Sequence, residues 1–209
     1  TAGAREVDES IDAAADGKVE IINISGAVEV LGWSDSVVTV TGELGDKVEE
    51  LILERNGDKV LVKVKVPRNN SNNISSDLTV HIPARSSIDV STVSADITVE
   101  DVQGEQMLHT VSGDVETQAY GSDVSAQSVS GDVDVNGNGD NADTSANTVS
   151  GDVNIIGVSG DVSAEAVSGD ILVRDGSFER VGLNTVNGEI EFQGAFIDGG
   201  KLTAESVNG

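Results

Sequence analysis

The feature that most constrains the fold is a four-residue motif, Val-Ser-Gly-Asp, that recurs along the second half of the chain. Counting close variants, copies begin at residues 93, 111, 129, 149, 167, 186 and 207. They are spaced by 18, 18, 20, 18, 19 and 21 residues, and half-period copies begin at residues 102 and 158. A short, nearly fixed period is typical of a solenoid, in which each repeat buries its apolar residues only by stacking on its neighbours.

The residue types predict that these repeats form strands. The chain has 32 valines and 14 isoleucines against 10 leucines, and β-branched side chains favour β-structure. A half-period of nine residues leaves room for two short strands and two corners in each turn. We therefore predict an all-β fold: a parallel β-helix, or β-solenoid, with rungs of about 19 residues. Right-handed coiling is expected because parallel crossover connections strongly prefer that hand.

Alternation within one copy predicts which side chains form the core. In the segment 129–135, Val129, Val133 and Val135 are expected to point inward and the polar residues between them to point outward. Gly131 lies at a corner, at a position that the alternation assigns to the inside. There the missing Cβ allows a positive φ or a close approach between two backbones.

Residues 1–85 have longer and less regular β-patterns, separated by turn clusters at Asn56–Asp58 and Asn69–Asn73. The Asn-Gly pair in the first cluster predicts a β-hairpin. We predict that residues 1–85 are an N-terminal β region that caps a solenoid formed by residues 86–209, the two parts making one structural unit. A separate N-terminal domain is the alternative.

The charge of the chain excludes several functions. Asp and Glu number 37 against 12 Lys and Arg, which gives a net charge of −25. Residues 86–173 contain 16 acidic residues and no Lys or Arg, so nucleic acid is excluded as a partner and an anionic membrane surface is disfavoured. No apolar run is long enough to insert into a membrane. Cysteine is absent, which excludes disulfides and thiol chemistry.

The aspartates of the motif are the candidate metal ligands. Stacking in register would place them in one column, with Asp96 and Glu189 at its ends: Asp114, Asp132, Asp152 and Asp170. The simpler interpretation is that each carboxylate accepts a hydrogen bond from a corner N–H and stays in water. The alternative is that the column binds calcium, which prefers oxygen ligands. The loop Asn136–Asn141 is a second candidate for calcium, and no other cofactor is predicted.

Two further classes of function remain open. A carbohydrate-active β-helix enzyme would need carboxylates in contrasting environments, but residues 86–173 offer no cation to assist them, and His109 is more typical of a strand residue than of a base. We therefore assign no catalytic residues. A binding module would instead use outward polar side chains, for which the candidates are Thr117, Gln118, Ser125, Gln127, Thr144 and Asn147.

Three segments of the sequence resemble the DUF4097 family of bacterial proteins, often labelled adhesins. They are the repeat itself, the segment Ile24–Trp33, and Asp77–Pro83 followed by Ile88–Ser94. The resemblance extends from about residue 17 to residue 209. It implies a parallel β-helix and an exported, envelope-associated protein without established catalytic residues.

We accordingly expect a non-catalytic exported protein, in the periplasm or at the cell surface of a bacterium. It would act as a β-helical scaffold or adhesin-like interaction module with an envelope protein or glycan as partner. A calcium-dependent adhesive module is the first alternative and the carbohydrate-active enzyme the second. The start at Thr1–Ala4, without Met, is compatible with a removed signal peptide. The sequence stops within a motif at Val207–Gly209, which predicts an open edge that forms a homo-oligomer or continues into further residues.

Overall fold

The computed structural model describes residues 5–68 and 73–209, and these residues form strands and no helix. No helix that could span a membrane occurs among them. The first seven strands are β1 Arg5–Asp12, β2 Lys18–Trp33, β3 Val37–Leu44, β4 Glu50–Asn56, β5 Lys59–Lys65, β6 Ser76–Pro83 and β7 Ser87–Glu100. The others are β8 Gln106–His109, β9 Val115–Ala119, β10 Val124–Gln127, β11 Val133–Gly137, β12 Thr144–Ser150, β13 Val153–Ile156, β14 Gly160–Ser168, β15 Ile171–Asn187 and β16 Ile190–Asn208.

The repeats stack as parallel strands in two series. Strands β8, β10, β12 and β14 pair in that order and continue into the second halves of β15 and β16. Strands β9, β11 and β13 pair likewise and continue into the first halves of β15 and β16. Val133, for example, pairs with Val115 on one side and Val153 on the other. The predicted all-β, solenoid-like fold is confirmed, whereas its right-handed coiling and its 19-residue rung stay predictions.

Small aliphatic side chains between the two series form a thin core. Val133 and Val135 are buried as predicted, with 0% and 1% of their surface exposed. The prediction for Val129 is wrong, because 39% of its surface is exposed. The preceding strand β10 buries its even-numbered positions Val124 and Ala126, and Ser128, which follows the strand, is buried as well, so Val129 continues that alternation outward. The corner then shifts the parity, and Val133 points inward again.

The N-terminal residues join the same sheet. Strand β2 pairs in parallel with β7 along most of its length, and with β5 and β6 along its first and second halves. Strand β3 is antiparallel to β6, and β1 is antiparallel to β3. The division at residue 85 stays a prediction.

The hairpin predicted at Asn56-Gly57 is confirmed. Strands β4 and β5 are antiparallel and Asn56 pairs with Lys59 across the turn. Gly57 has φ of 63°, in the left-handed region that glycine adopts without strain. The second predicted turn, at Asn69–Asn73, lies outside the described residues except for Asn73. The segment Thr1–Ala4 also lies outside them.

Three phenylalanines form an aromatic cluster in the last two rungs. Phe178 is fully buried, and its ring centroid lies 5.4 Å from that of Phe192 and 6.3 Å from that of Phe196. Phe196 is 38% exposed. Within the described part of the chain, β16 pairs only with β15, and association through its other edge stays a prediction.

Candidate functional site

A buried hydroxyl precedes most motif copies and stabilises the corner. The Ser128 hydroxyl donates a hydrogen bond to the Gly113 carbonyl at 2.9 Å, and the Thr148 hydroxyl donates one to the Gly131 carbonyl at 3.0 Å. Each bond satisfies a corner carbonyl of the preceding rung. Sequence reasoning missed this role, although a Thr or Ser stands before most copies.

The motif glycine is required by close backbone contact between rungs. A Cβ at Gly131 would lie 2.0 Å from the Gly113 carbonyl oxygen, and one at Gly151 would lie 2.1 Å from the Gly131 carbonyl oxygen. Neither glycine has a positive φ. Of the two reasons considered for this glycine, close approach is confirmed and the left-handed conformation is wrong.

The four predicted metal-ligand candidates lie in one column, together with Asp96 and Glu189. The Asp114 carboxylate accepts a hydrogen bond from the Asp132 N–H at 2.9 Å, and the Asp132 carboxylate accepts one from the Asp152 N–H at 2.8 Å. Asp152 and Asp170 continue the pattern at 2.8 Å, and the side chains are exposed. The corner hydrogen bond expected in the simpler interpretation is therefore present, with its donor supplied by the next rung.

The described residues contain no group of three or more His, Cys, Asp or Glu side chains that could hold a metal ion. One oxygen of each column carboxylate up to Asp170 already accepts a backbone hydrogen bond. Calcium binding by Asp114, Asp132, Asp152 and Asp170 stays a prediction. The loop 136–141 is closed by a hydrogen bond of 2.9 Å from the Asn138 amide to the Asp140 carboxylate.

The aspartate column can be tested at Asp132, in the middle of the stack. Replacing Asp132 by alanine removes the acceptor for the Asp152 N–H and is expected to lower the free energy of unfolding by about 1 kcal/mol. Replacing it by asparagine keeps an acceptor oxygen and removes repulsion between neighbouring carboxylates, so stability should be unchanged or higher. Chemical denaturation of the three proteins measures the difference, and equal losses in both variants would contradict the hydrogen-bond role.

Two titratable side chains link adjacent rungs. Burial raises the pKa of Tyr120, and the hydrogen bond from its hydroxyl to the Asp101 carboxylate at 3.0 Å raises it further. The ion pair with Asp161 raises the pKa of the exposed Arg180 guanidinium. Both pairs join positions 19 residues apart, which is an architectural role. His109 is exposed on the outside of β8.

One outer surface of the solenoid, here called the valine face, consists of the outward residues of the stacked segments 105–111, 123–129, 143–149, 161–167, 180–186 and 201–207. Its first edge is the charged column: Glu105, Asp123, Asp143, Asp161, Arg180 and Lys201. Its other edge is the valine column, between 39% and 72% exposed: Val111, Val129, Val149, Val167, Val186 and Val207. Val93 extends this column by one rung and is 45% exposed.

Polar side chains fill the middle of the valine face. Ser125, Gln127 and Asn147 lie there, half-buried, as predicted. The prediction that Thr144 points outward is wrong, because its side chain is 3% exposed. Shallow grooves of about 510 and 640 Å³ border the charged column and the valine column, respectively.

A second outer surface, here called the polar face, consists of the outward residues of the segments 115–119, 133–137, 153–156, 171–174 and 190–193. The Asn154 amide donates a hydrogen bond of 2.7 Å to the Asp134 carboxylate on the preceding rung. Gln118 and Asn136 are adjacent in a second row. Thr117, predicted to lie outward here, is fully buried.

One solved structure supports the same architecture. A protein of Bacteroides fragilis, provisionally described as an adhesin, superimposes with a TM-score of 0.53 over 93% of this chain and 97% of its own, at 11% identity. A Clostridium sporogenes protein provisionally described as a cell adhesion protein has 10% identity and a TM-score of 0.38, with 90% of this chain and 99% of its own covered. A Parabacteroides distasonis protein provisionally described as lipid-binding has 13% identity and a TM-score of 0.45, with 94% and 95% covered. The first of these likenesses supports the fold alone.

Sequence comparison identifies the family. No match was found among functionally curated proteins. The sequence model of the Toastrack family, DUF4097, matches residues 14–166, which is most of the chain and includes the motif copies that begin at residues 93, 111, 129 and 149. The resemblance seen in the repeat is thereby confirmed, and the chain belongs to the Toastrack DUF4097 family.

Proposed function

We propose that this protein is a non-catalytic, exported module of the bacterial envelope, a β-helical scaffold with an adhesin-like binding role. The observation that carries the proposal is the polar face, where amide and carboxylate side chains occupy neighbouring outward positions of the first three rungs, before Ile156 and Leu172 interrupt the two rows. These side chains are Glu116, Gln118, Asp134, Asn136 and Asn154. The solenoid-like fold offers a long surface suited to binding, and the Bacteroides fragilis protein with the same architecture is provisionally described as an adhesin. We also propose that the protein is exported to the periplasm or the cell surface and that its solenoid is right-handed.

The polar face suits a long ligand with many hydrogen-bonding groups. Stacked strands place equivalent side chains about 4.8 Å apart, so Asp134 and Asn154 present donors and acceptors at a regular interval. The net charge of −25 disfavours polyanions. A neutral or cationic envelope glycan or an extended protein segment is the partner that this chemistry favours.

Cosedimentation with purified, protein-free bacterial sacculi and with insoluble neutral polysaccharide tests the proposal. We expect saturable binding that falls about 10-fold, a loss near 1.4 kcal/mol, when Gln118 and Asn154 are both replaced by lysine. The matched control replaces Gln103 and Asn138, the same residue types at exposed positions outside both the polar face and the valine face, by lysine and should bind normally.

The same assay separates the alternatives. Binding that requires calcium and is lost in EDTA would favour the calcium-dependent adhesive module. Release of soluble sugar would favour the carbohydrate-active enzyme. Absence of binding to both insoluble glycans, or equal losses in the two double variants, would contradict a glycan-binding polar face.

A further inference from the structure

The valine column is an exposed apolar stripe on an acidic protein. Six valines in register, each at least 39% exposed, extend over about 24 Å at the usual strand spacing. Single exposed apolar residues are common on soluble proteins, but a contiguous stripe with polar borders marks an interaction surface. The solenoid does not need valine there, because these side chains lie outside the core.

Charge is depleted beside this stripe. In the three central segments, 123–129, 143–149 and 161–167, the outward positions between the two edge columns contain Glu165 as their single charged residue. The remaining positions are serine, glutamine and asparagine. Interface centres show this depletion of charge, with polar groups that can still form hydrogen bonds.

The charged column shows which partner fits. Within the six rungs of the valine face its first four members are acidic and its last two, Arg180 and Lys201, are basic. A second copy packed face to face about a two-fold axis parallel to the strands has its column running in the opposite direction. Lys201 of each copy then lies opposite Glu105 of the other, and Arg180 lies opposite Asp123. Asp143 lies opposite Asp161 next to the axis, and Arg180, which is paired with Asp161 in its own chain, offsets part of that repulsion. The charged columns of the dimer therefore form four attractive pairs and two repulsive ones.

The same two-fold rotation pairs residues in the other columns of the valine face. Val149 of one copy meets Val167 of the other, on either side of the axis. His109 lies opposite Glu205, and Gln127 lies opposite Asn184. An interface of this kind is self-complementary, as two-fold symmetry requires.

The area of the valine face limits how much surface a dimer can bury. Seven residues of strand span about 23 Å and six rungs about 29 Å, so the face covers on the order of 600–700 Å². Specific interfaces bury about 600–1,000 Å² on each partner, which places this contact at the small end of the range. An interface of this size, with polar residues between its edge columns, is expected to be weak and reversible, with a dissociation constant on the order of micromolar.

We propose that the valine face binds a second copy of this chain, with antiparallel columns and a two-fold axis between Val149 and Val167. This surface differs from the free edge of β16 and goes beyond the proposed adhesin-like function. Both outer edges of the solenoid and the whole polar face remain free in the dimer.

Sedimentation velocity of the intact protein from about 1 to 500 µM tests the proposal, since this interval brackets a micromolar constant. We expect a reversible shift from monomer to dimer. Replacing Val149 and Val167 together by glutamate should weaken dimerisation on the order of 100-fold, because each new charge enters the interface twice. Val93→Glu is the matched control, because Val93 has the same exposure in the same column but lies beyond the paired rungs.

Charge reversal tests the orientation. Lys201→Glu should weaken the dimer about 5-fold through repulsion from Glu105, and adding Glu105→Lys should restore it. The two positions lie five rungs apart in one chain, about 24 Å, so rescue can arise only between chains. Circular dichroism confirms that each variant is folded.

A monomer at every concentration would overturn the proposal. Equal weakening by Val93→Glu, or absence of rescue by the reversed pair, would overturn the assigned packing. These outcomes are independent of glycan binding, which is measured on the polar face. Failure of the dimer and failure of the proposed function are therefore distinguishable.

Discussion

Replacing Phe178 by alanine is expected to lower the free energy of unfolding by about 3–5 kcal/mol. The side chain is fully buried in a core that otherwise consists of small aliphatic residues. Its ring lies so close to Gly176 and Gly194 that a Cβ on either glycine would fall 2.4 Å from a ring atom. Because the glycines have no side chains that could refill the space, refilling requires Phe192 or Phe196 to move, and most of the cavity left by the substitution should stay open. Urea denaturation followed by circular dichroism measures the loss.

Phe196 provides the matched control for Phe178. It belongs to the same cluster but is 38% exposed, and its neighbour Phe192 lies 5.4 Å away between ring centroids. Phe196→Ala should therefore lower stability by less than half as much. Comparable losses in the two variants would show that Phe178 is not the principal aromatic anchor of the last rungs.

Replacing Gly151 by alanine is expected to lower the free energy of unfolding by about 3 kcal/mol. The new Cβ would lie 2.1 Å from the carbonyl oxygen of Gly131, which is backbone and can move only if the two rungs separate. Gly182→Ala is the matched control. A Cβ there meets nothing within 4 Å, and φ is not positive, so alanine should increase stability by about 0.5–1 kcal/mol.

Thermal and urea unfolding of the two glycine variants should thus give shifts of opposite sign. A stable Gly151→Ala protein would mean that the rungs can move apart at little cost. The close approach of motif glycines would then not explain why glycine occupies this position.

Periodicity makes the stacking predictable, while the corner limits prediction of individual side chains. The spacing of Val-Ser-Gly-Asp is enough to place Val133 and the aspartates in columns. Val129 is assigned to the wrong side when alternation is extended through Gly131. Strand alternation holds only within a strand, and the residues of a corner shift it. The buried Ser128 marks the true parity of the strand that precedes the corner.

Prediction of the candidate site residues is limited in the same way, because the contacts between stacked rungs are not visible in the local sequence. Local sequence predicts that the carboxylates of Asp114 and Asp132 accept corner hydrogen bonds, but a donor on the next rung is a property of stacking. The polarity of Thr144 predicts an outward side chain, whereas its pairing with Val124 and Val162 makes it an inward residue. The exposed valine stripe escapes prediction for the related reason that apolar residues are assigned to the core.

The corner contacts described above join each rung to the rung before it and the rung after it. The Asp132 carboxylate, the Thr148 hydroxyl and the Gly151 backbone all touch a neighbouring copy of the same motif. A duplicated unit therefore meets the same chemistry on both sides as the unit it copies. Tandem duplication can lengthen the molecule by about 4.8 Å per unit without new contacts having to evolve. Evolution can therefore change the length of the molecule, and of any binding surface that runs along it, by changing only the number of repeats.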